Sequence, residues 1–211
     1  MCAASCQRAR GCSVVRRSVA NNLNDLSKVH RALLMRTCKA WLTGASAGRR
    51  ALVEHALRGA VKRGSPEALR LLGFGRKAAV SVDAVSLSPA RVAIGGRVSI
   101  AFTLHSRSRT AQDLLVDLAV HFVKASGRSV PKVFKLKRVT LAAGGREDFT
   151  TSVSLAVHTT RKPYPGRHAV AVVVNGQAMP IGAFVVAPAP ASGPRASAPP
   201  TSSAPLPRNG R

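Results

Sequence analysis

Val120 to Arg138 reads VHFVKASGRSVPKVFKLKR, and the fold of the larger part of the chain is decided there. Val120 and Phe122 stand against His121 and Lys124, the two-residue period of a half-buried strand. Ser126-Gly127-Arg128-Ser129 is turn chemistry. Val133, Phe134 and Leu136 then sit among Lys132, Lys135, Lys137 and Arg138. The stretch predicts a β-hairpin with one apolar and one cationic side. Such a surface suits a polyanion. Its plain alternative is a solvated face on a basic protein.

The same period extends in both directions. Val80, Val82, Val85 and Leu87 form an opening strand closed by Ser88-Pro89. Val92 and Ile94 lead into Gly95-Gly96. Val98, Ile100, Phe102 and Leu104 alternate with Ser99, Ala101, Thr103 and His105. After a polar loop, Leu114, Val116, Leu118, Val120 and Phe122 do the same. Beyond the hairpin, Gly144-Gly145 turns into Phe149, Thr151, Val153 and Leu155. Pro163-Tyr164-Pro165-Gly166 precedes Val170, Val172 and Val174. Asn175-Gly176 is a strong hairpin signal, and Ile181 to Val186 closes the series. Seven or eight short strands separated by turns predict an immunoglobulin-like sandwich over residues 78–186. Tyr164 stands where such sandwiches place a tyrosine corner. The region has no Cys, so it is Ig-like in architecture only. Residues 187–211 are rich in Pro, Ala and Ser and read as a disordered tail.

Upstream the period is helical. Val15, Val19, Leu23 and Leu26 make one apolar stripe, with Arg17, Asn21, Asn24 and Lys28 opposite and Asp25 beside them. A second helix runs from about Arg31 to Leu42, with Leu34, Cys38, Trp41 and Leu42 inward. A third spans about Arg49 to Arg63. Leu52, Val53, Ala56, Leu57, Ala60 and Val61 form its buried face, and Arg50, Glu54, Arg58 and Lys62 its polar row. Ser65-Pro66-Glu67 caps a short fourth helix. Helices of this length on short loops predict a piece of an α-solenoid over residues 13–77. Residues 1–12 match no element and read as a disordered start. The fold class is thus α+β and multidomain: the C-terminal piece of a HEAT-like solenoid, then an Ig-like antiparallel sandwich.

The formal net charge is +25, from 33 Lys and Arg against 8 Asp and Glu in 211 residues. It is spread over helical part, sandwich and tail alike, not gathered in one block. That excess favours nucleic acid or an anionic surface as partner. Cys2, Cys6, Cys12 and Cys38 lack paired metal-ligand spacing, so no metal site is expected. His105, His121, His158 and His168 have no short ligand spacing and read as strand or surface histidines. No apolar run has the length of a membrane span, and the N-terminal residues lack the apolar core of a signal peptide. No G-x-S-x-G, P-loop or H-E-x-x-H occurs, and Glu147-Asp148 falls at a solvated turn.

RRSVANNLNDLSK (Arg16–Lys28), HALRGAVKRGSPEALRLLGFG (His55–Gly75), VDLAVHFVKASGRSVPKVFKLKRVTL (Val116–Leu141) and TTRKPYPGRHAVAVVVNG (Thr159–Gly176) together resemble the bacterial DNA alkylation-repair glycosylases of the HEAT-like repeat type, in their AlkC-like branch. The resemblance runs from Ser13 to Val186. It implies removal of N3-alkylated purines such as 3-methyladenine from double-stranded DNA, without a cofactor, by a monomer in the bacterial cytoplasm, associated with the nucleoid. The family's helical domain is far longer, so this chain is expected to be truncated and to bind DNA better than it excises bases. Asp25 is the one carboxylate placed at a family active-site position. DNA contacts are expected from Arg16, Arg17, Asn21, Arg58, Lys62 and Arg63 on the helices. Lys124, Lys132, Lys135, Lys137 and Arg138 follow on the hairpin, with Arg161, Lys162 and Arg167 near the proline turn. Two alternatives stand beside this. Asn and Asp on the first helix bond backbone groups of a neighbouring repeat. Or the chain is a non-enzymatic Ig-like module that binds a protein or an anionic surface.

Overall fold

The computed structural model describes residues 3–75, 77–157 and 162–188. Four helices come first: α1 (Ala3–Leu26), α2 (Arg31–Leu42), α3 (Ala47–Lys62) and α4 (Pro66–Leu71). Eight strands follow: β1 (Val80–Ser88), β2 (Arg91–Ala93), β3 (Arg97–Ser106), β4 (Gln112–Val123), β5 (Ser129–Leu141), β6 (Arg146–Ser154), β7 (Gly166–Val174) and β8 (Gln177–Ala187). α1 begins at Ala3, ten residues before the Ser13 start read from the sequence, so residues 3–12 are helical and not a disordered start. That stretch has Ala, Gln and Arg, which favour helix without an apolar stripe to announce it.

The strands form two sheets, β1-β3-β6 and β2-β8-β7-β4-β5, which enclose one apolar core as an Ig-like sandwich. Ile100, Phe102, Leu104, Leu118, Val172 and Phe184 are buried in it, each from the inward side of its strand. The hairpin that opened the sequence is present. β4 and β5 pair antiparallel from Gln112↔Leu141 to Val123↔Ser129. Asn175-Gly176 is the two-residue turn between β7 and β8, with φ of 49° and 80°, the left-handed pair of a type I′ turn. His168 is the strand histidine expected, on β7, but it is not at the surface. It is buried, stacked on Phe184 and edge-on to Phe122. Its Nε2–H donates to the Tyr164 carbonyl at 3.0 Å. Burial holds its pKa below the usual histidine value, so it is neutral in the core.

α1 and α3 lie side by side and run parallel, with α2 returning between them. The contacts climb together along the chain: Asn21 with His55 and Arg58, Asn24 with Gly59, Ser27 with Arg63. This face of α1 is the polar one. The stripe read as the packing face points elsewhere: Val15 is 62% and Val19 37% exposed, while Leu23 and Leu26 are half-buried. The reason is distance. Ala20, Asn24 and Ser27 are short, and Gly59 has no side chain, so the backbones approach closely. A Cβ on Gly59 would lie 2.6 Å from Asn24 Oδ1. The Gly59 N–H donates to that oxygen at 3.0 Å, the inter-helix backbone bond anticipated for these residues.

The helices dock on the outer face of β4, and so β4 is buried on both faces from Leu114 to Val120. Leu115 packs with Leu69 and Phe74. Asn175 Oδ1 accepts from Leu115 N at 2.8 Å, and Gly176 lies against Leu69 and Gly64 of the α3–α4 connection. Arg138 on β5 completes the joint. Its guanidinium pairs with Glu54 of α3 at 3.0 Å and lies 5.2 Å from the Phe74 ring centre.

Candidate nucleic-acid interface

The polar row of α3 is only partly a solvent face: Arg50 is exposed, but the other three are not turned away from the sandwich. Glu54, Arg58 and Lys62 point at the β4–β5 hairpin, where they line a small cavity with Asp117, Lys135 and Arg138. A bulge in β5 makes this possible. Asp117 is opposite Lys135, but Val116 is opposite Lys137 and Leu115 opposite Arg138, so Leu136 is an extra residue. Strict alternation puts Lys135 and Arg138 on opposite faces. The extra residue brings both to the helix side and sends Lys137 towards the other sheet, where it pairs with Glu147 of β6.

Beside this cavity, Asn21 Oδ1 accepts two bonds, from His55 Nε2–H at 3.0 Å and from Arg58 Nη2 at 3.0 Å. Arg58 Nη1 also donates to the His55 carbonyl at 2.7 Å. The guanidinium is thereby fixed in place. Desolvation, then the charges of Arg58, Arg17 and Lys135, hold the His55 pKa below its usual value. Cations from α1, α3 and β5 thus act on His55 in addition to its burial. Arg16 and Arg17 extend the surface along α1, where they line a cleft of about 310 Å³ with Gly48 and His55.

The other expected contacts fall elsewhere. Arg63 donates to Ser27 Oγ at 3.1 Å and lines a cleft of about 530 Å³ with Lys28 and Arg31. Lys132 lies over the Phe134 ring. Lys124 is exposed in the β4–β5 turn; Lys162 and Arg167 are exposed near the start of β7, at the same end of the sheet. Arg161 and His158 lie outside the described residues. Asp25 is on neither cation surface. Its side chain is 69% exposed and paired with Lys28 at 3.2 Å, a solvated helix charge. Sequence reasoning missed His55, Glu54 and Asp117. The i, i+4 row on α3 was visible, but nothing in it told a solvent face from a docked one.

Two observations define the class: an Ig-like sandwich with helices docked on its five-stranded sheet, and one basic face that crosses the joint between them. The chain belongs to the family described as the C-terminal Ig-like domain of uncharacterised protein YhaZ, whose model matches residues 81–188. It is 34% identical over 163 residues to the uncharacterised protein YhaZ of Bacillus subtilis strain 168, an alignment covering 77% of this chain and 45% of that protein. Among solved structures it is similar to the Pseudomonas fluorescens alkylpurine DNA glycosylase AlkC bound to DNA containing an abasic site analog. The TM-score is 0.79 and the identity 38%, over 82% of this chain and 48% of that one. The chain thus spans about half the length of these relatives. No helix among the described residues is long and apolar enough to cross a membrane.

Proposed function

We propose that this chain acts in DNA alkylation repair, as the duplex-gripping part of a glycosylase that removes N3-alkylated purines. The likeness to AlkC over 82% of the chain carries the reading. The parallel stacking of alternate helices supports a HEAT-like layer, since helix-pair repeats stack that way. In this reading Arg16, Arg17, Arg58, Lys62 and Lys135 meet phosphates. Lys137 and Arg138 contribute less, because each already has a carboxylate partner. An N3-alkylated purine is cationic, and its glycosidic bond is weak. The enzyme adds grip, positioning and stabilisation of developing charge. The residues of this chain supply the grip. Asp25, solvated and paired, does not supply the charge stabilisation, and the chain alone releases little alkylated base.

The test is a titration of duplex DNA at several salt concentrations. Five phosphate contacts predict a slope of log K against log salt of about −4.5. Arg58→Glu and Lys135→Glu each make the slope shallower by about one contact's worth, roughly 0.9. A flat salt response, or affinity untouched by both reversals, refutes DNA binding at this face and favours a protein-binding module.

A further inference from the structure

Asp117 is an acid in the middle of a basic face. Only 6% of the residue is exposed, and its Oδ1 has no hydrogen-bond partner among the described residues. The cavity it faces is about 50 Å³, too small for a nucleobase. Burial pushes its pKa up, while Lys135, Lys62 and the Leu136 backbone N–H pull it back down. A carboxyl whose pKa is raised by folding favours the folded state in its protonated form. That gain is present below the unfolded value, near 3.8, and is lost as pH rises through the folded one. Above that folded pKa the buried charge therefore costs stability.

The cost has a geometric counterpart. Arg58 and Lys62 come from α3, Lys135 and Arg138 from β5, and all four line the same small cavity as Asp117. Four cations converging there repel one another and push α3 off the hairpin. Glu54 offsets one of them, by its bond to Arg138. The charge opposite Lys135 in the strand register, and across the cavity from Lys62, is Asp117.

We infer that Asp117 is a positioning residue for polyanion binding: its buried carboxylate holds Lys135 and Lys62 convergent, so that helices and sandwich present one phosphate-binding surface. This rests on the DNA-binding reading above. It makes a prediction opposite in sign to simple charge counting. Removing a negative charge from a basic face ordinarily tightens DNA binding.

The experiment uses the full chain, a duplex of mixed sequence, and the near-isosteric variant Asp117→Asn, alone and with Lys135→Gln. Thermal unfolding and duplex affinity are both measured at neutral pH. Asp117→Asn is expected to unfold at the same or a higher temperature. It is expected to bind duplex about three- to tenfold more weakly, with a salt slope shallower by about one contact. In the Lys135→Gln background the same substitution is expected to change affinity less than twofold, as coupled residues require. Equal or tighter binding by Asp117→Asn overturns the inference while leaving the DNA reading intact, provided Lys135→Gln alone weakens binding. An equal loss in both backgrounds overturns the link through Lys135. A lowered unfolding temperature with unchanged duplex affinity overturns it too, since Asp117 then offsets repulsion within the fold without positioning the cations for a ligand. A wild-type chain with no salt-dependent binding removes the DNA reading and this inference together.

Discussion

Alanine at Gly176 tests how tightly the sandwich is fastened to the helices. Gly176 has φ +80°, and an added Cβ would lie 2.5 Å from Leu69 Cδ1 and 3.4 Å from Gly64 Cα. Two penalties follow. The left-handed conformation costs an L-residue roughly 1–2 kcal/mol. Crowding the buried Leu69 adds about 1 kcal/mol, the low end for overpacking, because the atom met is the end of a flexible side chain. Gly144 gives the control. It too has a left-handed φ, +62°, but a Cβ there meets nothing within 4 Å. Gly144→Ala therefore carries the conformational penalty alone. Urea unfolding of both variants should place Gly176→Ala about 1 kcal/mol below Gly144→Ala. In the double variant Gly176→Ala with Leu69→Ala, the losses should fall short of additive by about the same amount. Equal losses in the two glycine variants, with no coupling to Leu69, refute the tight joint.

Gly59→Ala should destabilise, although alanine is the better helix former by about 1 kcal/mol, because its Cβ displaces Asn24. In an Asn24→Ala background the same substitution should stabilise by about 1 kcal/mol, a reversal of sign that chemical denaturation will read. His168 makes stability pH-dependent. Its folded pKa lies below the unfolded value near 6.5, so its contribution is full above about pH 6.5 and is lost as pH falls below it. His168→Gln should flatten that part of a stability–pH profile, whatever it does to the absolute value. Asp25→Ala should alter stability by less than about 0.5 kcal/mol, since the Lys28 pair is exposed. Base-release assays on alkylated duplex should not distinguish Asp25→Ala from the parent, and abolished release would restore Asp25 as the acting carboxylate.

What was legible in the sequence was whatever is decided within a few residues. The β4–β5 alternation, the Asn175-Gly176 turn and the Ser65 cap depend on local torsion and near-neighbour bonding, and each has its expected structure. Faces were less legible than elements. The valines of α1 and the charged row of α3 were correctly grouped by period, but period does not name the neighbour. α1 turned its short polar residues to α3 because close approach and hydrogen bonds there outweighed burial of Val15 and Val19. α3 turned charges to the sandwich, where Glu54 pairs with Arg138 of β5 and Arg58 and Lys62 share a cavity with Asp117 of β4. The β5 bulge was invisible for a different reason. One extra residue reassigns every later side chain to a face, and only the pairing with β4 reveals it. The cationic hairpin was therefore found from sequence, but not the division of its lysines between the helix side and the carboxylate-paired side.

The helical layer touches the sandwich through three adjoining contacts: Gly176 on Gly64 and Leu69, Leu115 on Leu69 and Phe74, and Arg138 on Glu54 and Phe74. The three brace one another as the legs of a tripod do. A body seated on one contact pivots, and on two it rocks; on three it neither pivots nor rocks. The contacts also differ in kind, one backbone on backbone, one apolar and one ionic. Salt weakens the ionic leg and leaves the other two. A load that pulls on α1 and β5 at once therefore works against a stiff frame, and strain applied at one is carried to the other.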